Sequence, residues 1–212
     1  MEGRFVRILV IGATGAVGQN VVRALSAHHE KVGEGRLEII SASRSSTDYP
    51  VDCRDDASVE ALFDRVGTVD AVVSTIGGAK WASARDASLE TYASTVNGKL
   101  LCQVRIALAA RSHVREGGSI TLTSGIVGNY AFPGGSPSAI ANIGLDAFVK
   151  SAAAELPYLR LNTVSATVLE ESADAYAAVF PGFAAVPGAV AAAAFVRSVY
   201  GSETGRTIKA WS

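Results

Sequence analysis

Short apolar segments alternate with amphipathic segments along the whole chain. Phe5–Ile11 and Arg36–Ala42 are rich in aliphatic and β-branched residues, which is typical of strands buried on both faces. Between them, apolar residues recur every three or four positions over Val17–Ala27, which predicts a helix. Because strands separated by helices form parallel β-α-β units, the alternation predicts a sheet covered by helices on both faces.

The same alternation continues to the C-terminus without an internal repeat, a low-complexity tract or a linker. We therefore predict a single α/β domain over residues 1–212, a doubly wound parallel sheet in a three-layer sandwich. Ligands of such sheets bind at the carboxyl ends of the strands. The further predicted strands are a short one ending near Asp52, then Val69–Gly78, Gly118–Gly125, Arg160–Leu169 and Arg206–Trp211, and the further helices are Asp56–Val66, about Leu89–Arg111, Ser138–Glu155 and Ala189–Val199.

The composition is that of an ordinary globular domain. Of the 212 residues, 49% are hydrophobic and 18% are charged, and the formal net charge is −1, so no nucleic-acid or anionic membrane partner is expected. The uncharged segment Ala175–Val196 is interrupted by Pro181 and Pro187, which predicts a loop and a buried helix rather than a membrane span. Cys53 and Cys102 fit no metal spacing. The N-terminus shows no signal-peptide pattern, and we expect a cytoplasmic protein.

The strongest motif is VIGATGAVGQNVV, residues 10 to 22. It places Gly12, Gly15 and Gly18 between a predicted strand and a predicted helix, the context in which a glycine-rich loop binds a dinucleotide. The first glycine allows a tight turn, the second lets the backbone approach a pyrophosphate, and the third lets the helix pack closely. The helix dipole and free N–H groups attract the negative charge. The motif therefore predicts a Rossmann-like dinucleotide site.

The residues after the second predicted strand indicate which dinucleotide binds. An acidic residue there would bind the ribose 2′-hydroxyl and favour NAD. The sequence instead has Ser43, Arg44 and Ser45. An arginine fork beside two hydroxyls suits a 2′-phosphate, and a solvated loop arginine is the alternative interpretation. We therefore predict NADP(H) as the cofactor.

Several segments together resemble the short-chain dehydrogenase/reductase family over nearly the whole chain. GATGAVG is similar to the family's nucleotide loop, and STIGG stands where the family has Asn-Asn-Ala-Gly beside the ribose. GSITLTSG resembles the strand that carries the active-site serine, and LDAFVKSAAAEL resembles the helix after the catalytic pair. The chain is short for the family around residues 172–187, where the substrate lid is expected. The resemblance, with the two motifs above, implies a cofactor site formed by Gly12, Thr14, Gly15, Ala16, Val17, Gly18, Ser43, Arg44, Ser45, Asp52, Cys53, Ser74, Thr75, Ile76, Gly77 and Val168.

The catalytic pair departs from the family pattern. The family uses Tyr-x-x-x-Lys, in which the lysine lowers the pKa of the tyrosine that acts as acid and base. Alignment of the helix places Ser138 at the tyrosine position and Asn142 at the lysine position, and Ala166 and Thr167 replace the usual Pro-Gly. The cofactor half of the pattern is therefore kept, and the proton-transfer half is not.

Other polar residues are candidates for the missing chemistry. The resemblance assigns the carbonyl-polarising role to Ser124 and matches Asn97 to the family's helix asparagine. Ser138, or a water held by Asn142 and Asn97, would then donate the proton. Lys99 lies in an otherwise apolar helix segment. It either extends to solvent or points inward and supplies the lost ammonium.

Three functions remain open at this point. The first is an NADP(H)-dependent oxidoreductase that acts on a small carbonyl or alcohol substrate with a proton donor other than the family tyrosine, Tyr130 being a further candidate. The second is a non-catalytic NADP(H)-binding sensor or partner subunit. The third is a lyase or isomerase on the same fold. The resemblance also implies a homodimer or homotetramer formed through the helices Leu89–Arg111 and Ser138–Glu155.

Overall fold

A parallel sheet of six strands forms the centre of the molecule. The structure, a computed structural model, describes residues 5–32, 35–78 and 80–211. The strands lie in the order β2-β1-β3-β4-β5-β6, and every neighbouring pair is parallel. They are β1 (Phe5–Ile11), β2 (Arg36–Ala42), β3 (Val69–Ser74), β4 (Val114–Gly125), β5 (Arg160–Ala166) and β6 (Thr207–Ala210).

Helices cover both faces of this sheet, which confirms the predicted doubly wound α/β fold. One face carries the first and last long helices, and the other carries the helices from the middle of the chain. They are α1 (Ala16–Val32), α2 (Asp56–Val66), α3 (Leu89–Thr95), a π-helical turn (Val96–Leu101), α4 (Cys102–Ala110), α5 (Ser136–Glu155), a 3-10 turn (Glu170–Ser172), α6 (Ala173–Tyr176) and α7 (Gly188–Tyr200).

Two apolar layers hold the helices to the sheet. Phe63 of α2 and Leu145 of α5 are fully buried on one face, and Leu25 of α1 and Phe195 of α7 are fully buried on the other. Each side chain of this size contributes roughly 1.5–3 kcal/mol when it is removed from water. Stability is therefore supplied by these layers, away from the edge where the strands end.

The strand order reverses on the two sides of β1. Ile11, the last residue of β1, is paired with Ala42 of β2 on one side and with Ser74 of β3 on the other. The carboxyl ends of three strands therefore meet at one edge of the sheet. The chain leaves them in different directions, which opens a crevice at this point.

The predicted short strand ending near Asp52 is wrong. In the described part of the chain, residues 43–52 make only a single bridge, between Ser43 and Pro50. Proline has no N–H to continue a ladder, and the Tyr49 N–H instead donates to Ser46 Oγ at 3.0 Å in a turn. The segment forms a wall of the crevice rather than a strand of the sheet.

Two strands end earlier than predicted. β3 ends at Ser74: the Thr75 N–H makes a last ladder bond to the carbonyl of Ile11 at 2.8 Å, and the described residues that follow pair with no strand. β5 ends at Ala166, and the Val168 carbonyl then accepts a hydrogen bond from the Val186 N–H at 2.9 Å. The residues predicted to continue these strands are loops at the carboxyl edge.

Candidate functional site

A cavity of about 680 Å³ opens at the carboxyl edge, where β1, β2 and β3 end. This volume is in the usual range of small-molecule sites. Most of the predicted cofactor residues line it, and the segment after β2 forms one of its walls. The predicted residues that line it are Gly12, Thr14, Gly15, Ser43, Arg44, Ser45, Asp52, Cys53, Thr75, Ile76 and Gly77, whereas Ala16, Val17, Gly18, Ser74 and Val168 are not among the residues that line it.

The glycine turn forms the floor of the cavity. Gly12 has a φ of 89°, a conformation that L side chains rarely adopt, and a Cβ there would lie 2.8 Å from Thr75 Oγ1. A Cβ at Gly18 would overlap the Gly12 carbonyl oxygen, so α1 starts directly against the turn. The structure thus shows the tight turn and the close helix packing expected of Gly12 and Gly18. The approach of a pyrophosphate to Gly15 stays a prediction.

Arg44 is a free cation at the end of the cavity nearest β2. It is exposed, and its guanidinium has no hydrogen-bond or ion-pair partner among the described residues. Arg54 lines the same cavity but is committed to Asp52, with donor–acceptor distances of 2.9 and 2.6 Å. These hydrogen bonds hold the pKa of Asp52 well below its usual range. Arg44 is therefore the cation that remains available to a ligand.

Arg54 is a cavity residue that the sequence analysis missed. The signal was present, because an arginine two residues after an aspartate can fold back onto its carboxylate. Arg54 and the ionised Asp52 form an ion pair whose two charges cancel. The electrostatic balance of the wall is thus positive because of Arg44.

Three predicted catalytic residues lie together at the ends of β4 and α5, and we call Ser124, Ser138 and Asn142 the polar site. They are 3%, 3% and 2% exposed. Asn142 Nδ2 donates to the Val127 carbonyl at 2.9 Å and lies close to Gly125, which follows Ser124. The Ser124 hydroxyl and Asn142 Oδ1 are buried without a hydrogen-bond partner. Polar atoms of this kind usually pair with protein, ordered water or a ligand.

The π-helical turn between α3 and α4 separates the orientations of Asn97 and Lys99. The Asn97 side chain is exposed, and its carbonyl accepts a hydrogen bond from Cys102 Sγ at 3.1 Å. Lys99 is only 8% exposed. The structure therefore resolves the alternatives for Lys99 in favour of the inward orientation, and it does not support the side-chain role predicted for Asn97.

Lys99 is a largely buried lysine without a close partner. It makes no hydrogen bond or ion pair with any described residue. Burial lowers the pKa of Lys99 to about 8, and the more distant carboxylate of Asp146 opposes this shift. Asp146 itself accepts a hydrogen bond from Thr163 Oγ1 at 2.6 Å. Lys99 therefore carries a charge near neutral pH in a place that disfavours charge.

Aromatic side chains from three loops and from the residue after β6 pack beside the polar site, and we call them the aromatic cover. Phe132, in the loop after β4, is the centre of this cluster. Its ring centroid lies 4.5 Å from that of Phe180 and 5.0 Å from that of Phe183. The cluster also contacts Ala139, next to Ser138 on α5. The other members of the cover are Trp81, Tyr130 and Trp211.

The predicted lid segment and Tyr130 both make ring contacts within the aromatic cover. Phe180 and Phe183 come from the segment 172–187, so this short segment closes on the loop after β4. The Tyr130 ring packs on Phe183 and Trp211, with centroids 5.2 and 5.7 Å away. These contacts hold one side of the ring while Tyr130 stays 49% exposed, and its role as a proton donor stays a prediction.

The chain matches known proteins over almost its whole length. A family model described as enoyl-(acyl carrier protein) reductase matches residues 13–208. The protein lin1944 from Listeria innocua is 38% identical, with a TM-score of 0.88 over 96% of this chain and 98% of that chain. The chain belongs to the short-chain dehydrogenase/reductase family. Among proteins of curated function, none is significantly similar to it.

Two less similar members of this group of structures share the fold. A small-chain dehydrogenase in complex with NADPH is 23% identical, with a TM-score of 0.83 over 97% of this chain and 96% of that chain. A variant of actinorhodin polyketide ketoreductase with NADPH is 16% identical, with a TM-score of 0.80 over 96% of this chain and 95% of that chain. At these identities the likeness concerns the fold alone.

The described residues offer neither a membrane-spanning helix nor a metal-binding cluster. None of the helices in residues 5–32, 35–78 and 80–211 is long and apolar enough to cross a lipid bilayer. In the same residues, no group of three or more His, Cys, Asp or Glu side chains could hold a metal ion. Burial raises the pKa of Cys53 to about 12, so this thiol behaves as a small apolar group in the cavity wall.

Replacement of Lys99 by methionine is expected to raise the free energy of unfolding at pH 7. Methionine keeps the apolar stem and removes the charge, whose burial lowers the pKa from 10.5 to about 8. The unfolded chain binds this proton more tightly, so the burial cost is complete below pH 8 and disappears as the pH rises toward 10.5. At 1.36 kcal/mol per pKa unit, the cost at pH 7 is roughly 3 kcal/mol.

Urea unfolding at pH 7 and pH 10 measures this effect. The gain in stability of the Lys99→Met variant should be larger at pH 7 than at pH 10. Lys150→Met is the control, because Lys150 is exposed on α5 and should show no such dependence. A gain of equal size at both pH values would contradict the buried charge.

Proposed function

We propose that the protein is an NADP(H)-dependent oxidoreductase that interconverts a small carbonyl compound and its alcohol. The observation that carries the proposal is the cavity at the strand ends, which connects the glycine turn with the unpartnered Arg44 and extends to Gly77 and Gly98. Support also comes from the relatives of the same fold that were crystallised with NADPH. The family membership favours oxidoreductase chemistry over the lyase or isomerase alternative.

The cavity residues fit NADP(H). The turn from Gly12 to Gly15 and the N-terminus of the long helix α1 suit a pyrophosphate. Arg44, with the Ser43 and Ser45 hydroxyls beside it, suits a 2′-phosphate because the guanidinium has no other partner. When bound, NADPH supplies a hydride to a carbonyl carbon.

The polar site supplies the groups that the reacting oxygen needs. In the proposed arrangement, the Ser124 hydroxyl donates a hydrogen bond to the carbonyl oxygen, because it is buried at the end of β4 without a partner. Ser138, or a water held by Asn142 Oδ1, delivers the proton to the developing alkoxide. A serine hydroxyl is a weaker acid than a tyrosine phenol, so turnover is slow compared with a tyrosine-dependent relative.

The aromatic cover favours an apolar substrate. Trp81, Phe132, Phe180 and Phe183 contribute rings to the only cluster that packs against the Ser138 end of α5 in the described residues. Rings pack well against flat or aliphatic groups and offer few hydrogen bonds. We therefore infer an aromatic or otherwise apolar aldehyde or ketone.

A non-catalytic NADP(H)-binding protein is the second candidate. It is favoured by the Asn142 amide, which donates to the Val127 carbonyl and is therefore partly committed to the loop. Ser124 and Ser138 are also nearly inaccessible beneath their surroundings. This candidate predicts tight binding without turnover.

We also propose that the chain forms a homodimer or homotetramer through α3, α4 and α5. Leu101 at the end of the π-helical turn and Leu108 on α4 are exposed, and so are Ile140 and Ile143 on α5. The π-helical turn and α5 are in contact, since a Cβ at Gly144 would lie 3.0 Å from Leu100. The exposed residues therefore lie on adjoining helices, as a helix-mediated interface requires.

Introduction of two negative charges on α5 is expected to separate the subunits. In the Ile140→Glu, Ile143→Glu double variant, carboxylates replace exposed apolar side chains and would be buried on association. Light scattering after size-exclusion chromatography should give a multiple of the monomer mass for the wild type and the monomer mass for the variant. Val32→Glu, at an exposed position outside these helices, should not change the mass. A monomeric wild type would contradict the proposed interface.

The Arg44→Ala variant tests the cofactor. The guanidinium has no partner inside the protein, so its removal should not disturb the fold. A charged hydrogen bond to a 2′-phosphate contributes about 1.5–3 kcal/mol, and NADPH affinity should fall about tenfold to hundredfold while NADH affinity stays the same. Fluorescence titration measures both affinities, with Arg111→Ala as the exposed control. Binding of neither cofactor to the wild type would overturn the proposed function.

Ser124→Ala tests the chemistry. With aromatic aldehydes and ketones, the wild type should consume NADPH, and the variant should lose about a hundredfold in kcat because one donor to the oxyanion is removed. NADPH affinity should stay unchanged. Ser119→Ala is a matched control, since Ser119 is a buried β4 serine with an unpartnered hydroxyl five residues before Ser124, in the middle of the strand. NADPH binding without turnover of any carbonyl would favour the second candidate.

A further inference from the structure

We propose that Lys99 is a cofactor-binding residue whose ammonium donates hydrogen bonds to the hydroxyls of the ribose on the nicotinamide side of NADP(H). The inference rests on the proposed NADP(H) binding. It assigns a partner to a side chain that the glycine turn, Arg44 and the polar site leave unused. The ammonium comes from the π-helical turn rather than from α5, where Asn142 stands at the family's lysine position.

The burial of Lys99 requires such a partner. A buried ammonium is normally paired or hydrogen-bonded, because removal of the charge from water is costly. Lys99 is 8% exposed, and no described carboxylate, carbonyl or hydroxyl accepts a hydrogen bond from it. Asp146 acts on Lys99 through its field but is bonded to Thr163. The described protein groups therefore leave the Lys99 ammonium without a hydrogen-bond acceptor, and a ligand can supply one.

The position of Lys99 makes the cavity the place for that partner. Its side chain lies across Gly77, where a Cβ would be 3.1 Å from Lys99 Cε and 3.2 Å from Cδ. Gly77 lines the cavity, and so does Gly98, the residue before Lys99. Gly77 has a φ of 152°, so the backbone and the missing side chain both leave room for the lysine. The stem thus follows the cavity wall at the STIGG loop, which the resemblance puts beside the ribose.

Lys99 points inward from the π-helical turn. Residues two apart on a helix point to nearly opposite sides, and here Asn97 is exposed while Lys99 is buried. The wide turn spans Val96–Leu101 and contains both residues. Such turns are frequent at functional sites. The turn therefore presents a cation, rather than the family's asparagine, to the interior.

A vicinal diol is the ligand chemistry that fits this environment. Unpartnered acceptor or donor atoms of Ser124 and Asn142 lie at the same edge of the sheet. A ribose offers neutral hydroxyls that accept from an ammonium and donate to an amide oxygen. A phosphate would instead be drawn to the glycine turn and Arg44, at the other part of the cavity.

A comparison of the affinities for NADPH and for its adenosine half distinguishes ribose binding by Lys99 from a purely structural role. Fluorescence titration or calorimetry would give the dissociation constants of NADPH and of adenosine 2′,5′-bisphosphate, which lacks the second ribose. Lys99→Met should weaken NADPH binding about tenfold or more and leave the bisphosphate unchanged. Arg44→Ala should weaken both ligands. Lys150→Met, at an exposed lysine, should weaken neither.

Each other result overturns the assignment. Unchanged NADPH affinity in Lys99→Met would show that the ammonium does not bind the ribose. Equal weakening of NADPH and the bisphosphate would show that Lys99 acts on the cavity as a whole. A wild type that binds the bisphosphate but not NADPH would also refute it, while Arg44 would keep its role. A wild type that binds neither ligand would instead remove the proposed function itself.

Discussion

The turn after β1 determines the geometry of the whole carboxyl edge. The Ile11 carbonyl accepts a hydrogen bond from the Thr75 N–H at 2.8 Å, and the Gly12 N–H donates to the Ala42 carbonyl at 2.8 Å. These two bonds connect the ends of β1, β2 and β3 at one point. The positive φ at Gly12 and the absence of a Cβ at Gly18 let α1 begin directly above them. The segment that carries Arg44 follows Ala42, and the loop that carries Gly77 follows Thr75, so both are anchored to this turn by these bonds.

Elements with clear local signals were predicted from the sequence to the residue. Helix α2 is an example, because Asp55 caps its N-terminus by accepting from the Ala57 N–H, and Gly67 ends it with a φ of 68°. The false strand before Asp52 shows the limit of such signals. Val51 is buried there like a strand residue, but Pro50 and the turn at Ser46 prevent a ladder. Burial in a wall and burial in a sheet look alike in a short apolar run.

The features of the site that were not predicted depend on packing between distant segments. Apolar periodicity over residues 89–111 is nearly the same whether or not one turn widens, so the π-helical turn leaves no clear mark in the sequence. The close approach of α5 at Gly144 to Leu100 and of Lys99 to Gly77 is a tertiary property. The inward direction of the Lys99 side chain depends on this packing. By contrast, the glycine turn and the Ser43–Ser45 segment are local, and their location at the cavity was predicted.

Most of the buried polar atoms without partners lie near the carboxyl edge of the sheet. Among the described residues, six have such atoms: Ser74, Ser124, Asn142 and Thr167 belong to the carboxyl edge or to α5 beside it, whereas Ser119 lies in the middle of β4 and Arg160 at the start of β5. An unsatisfied buried polar group costs about 1–3 kcal/mol, and apolar residues of similar size would remove that cost. A protein that used this edge only as a packed end of its sheet would gain stability from such replacements. Several unpaired groups and the buried charge of Lys99, close to a cavity, are therefore what a site completed by a polar ligand requires, and they support the proposed function.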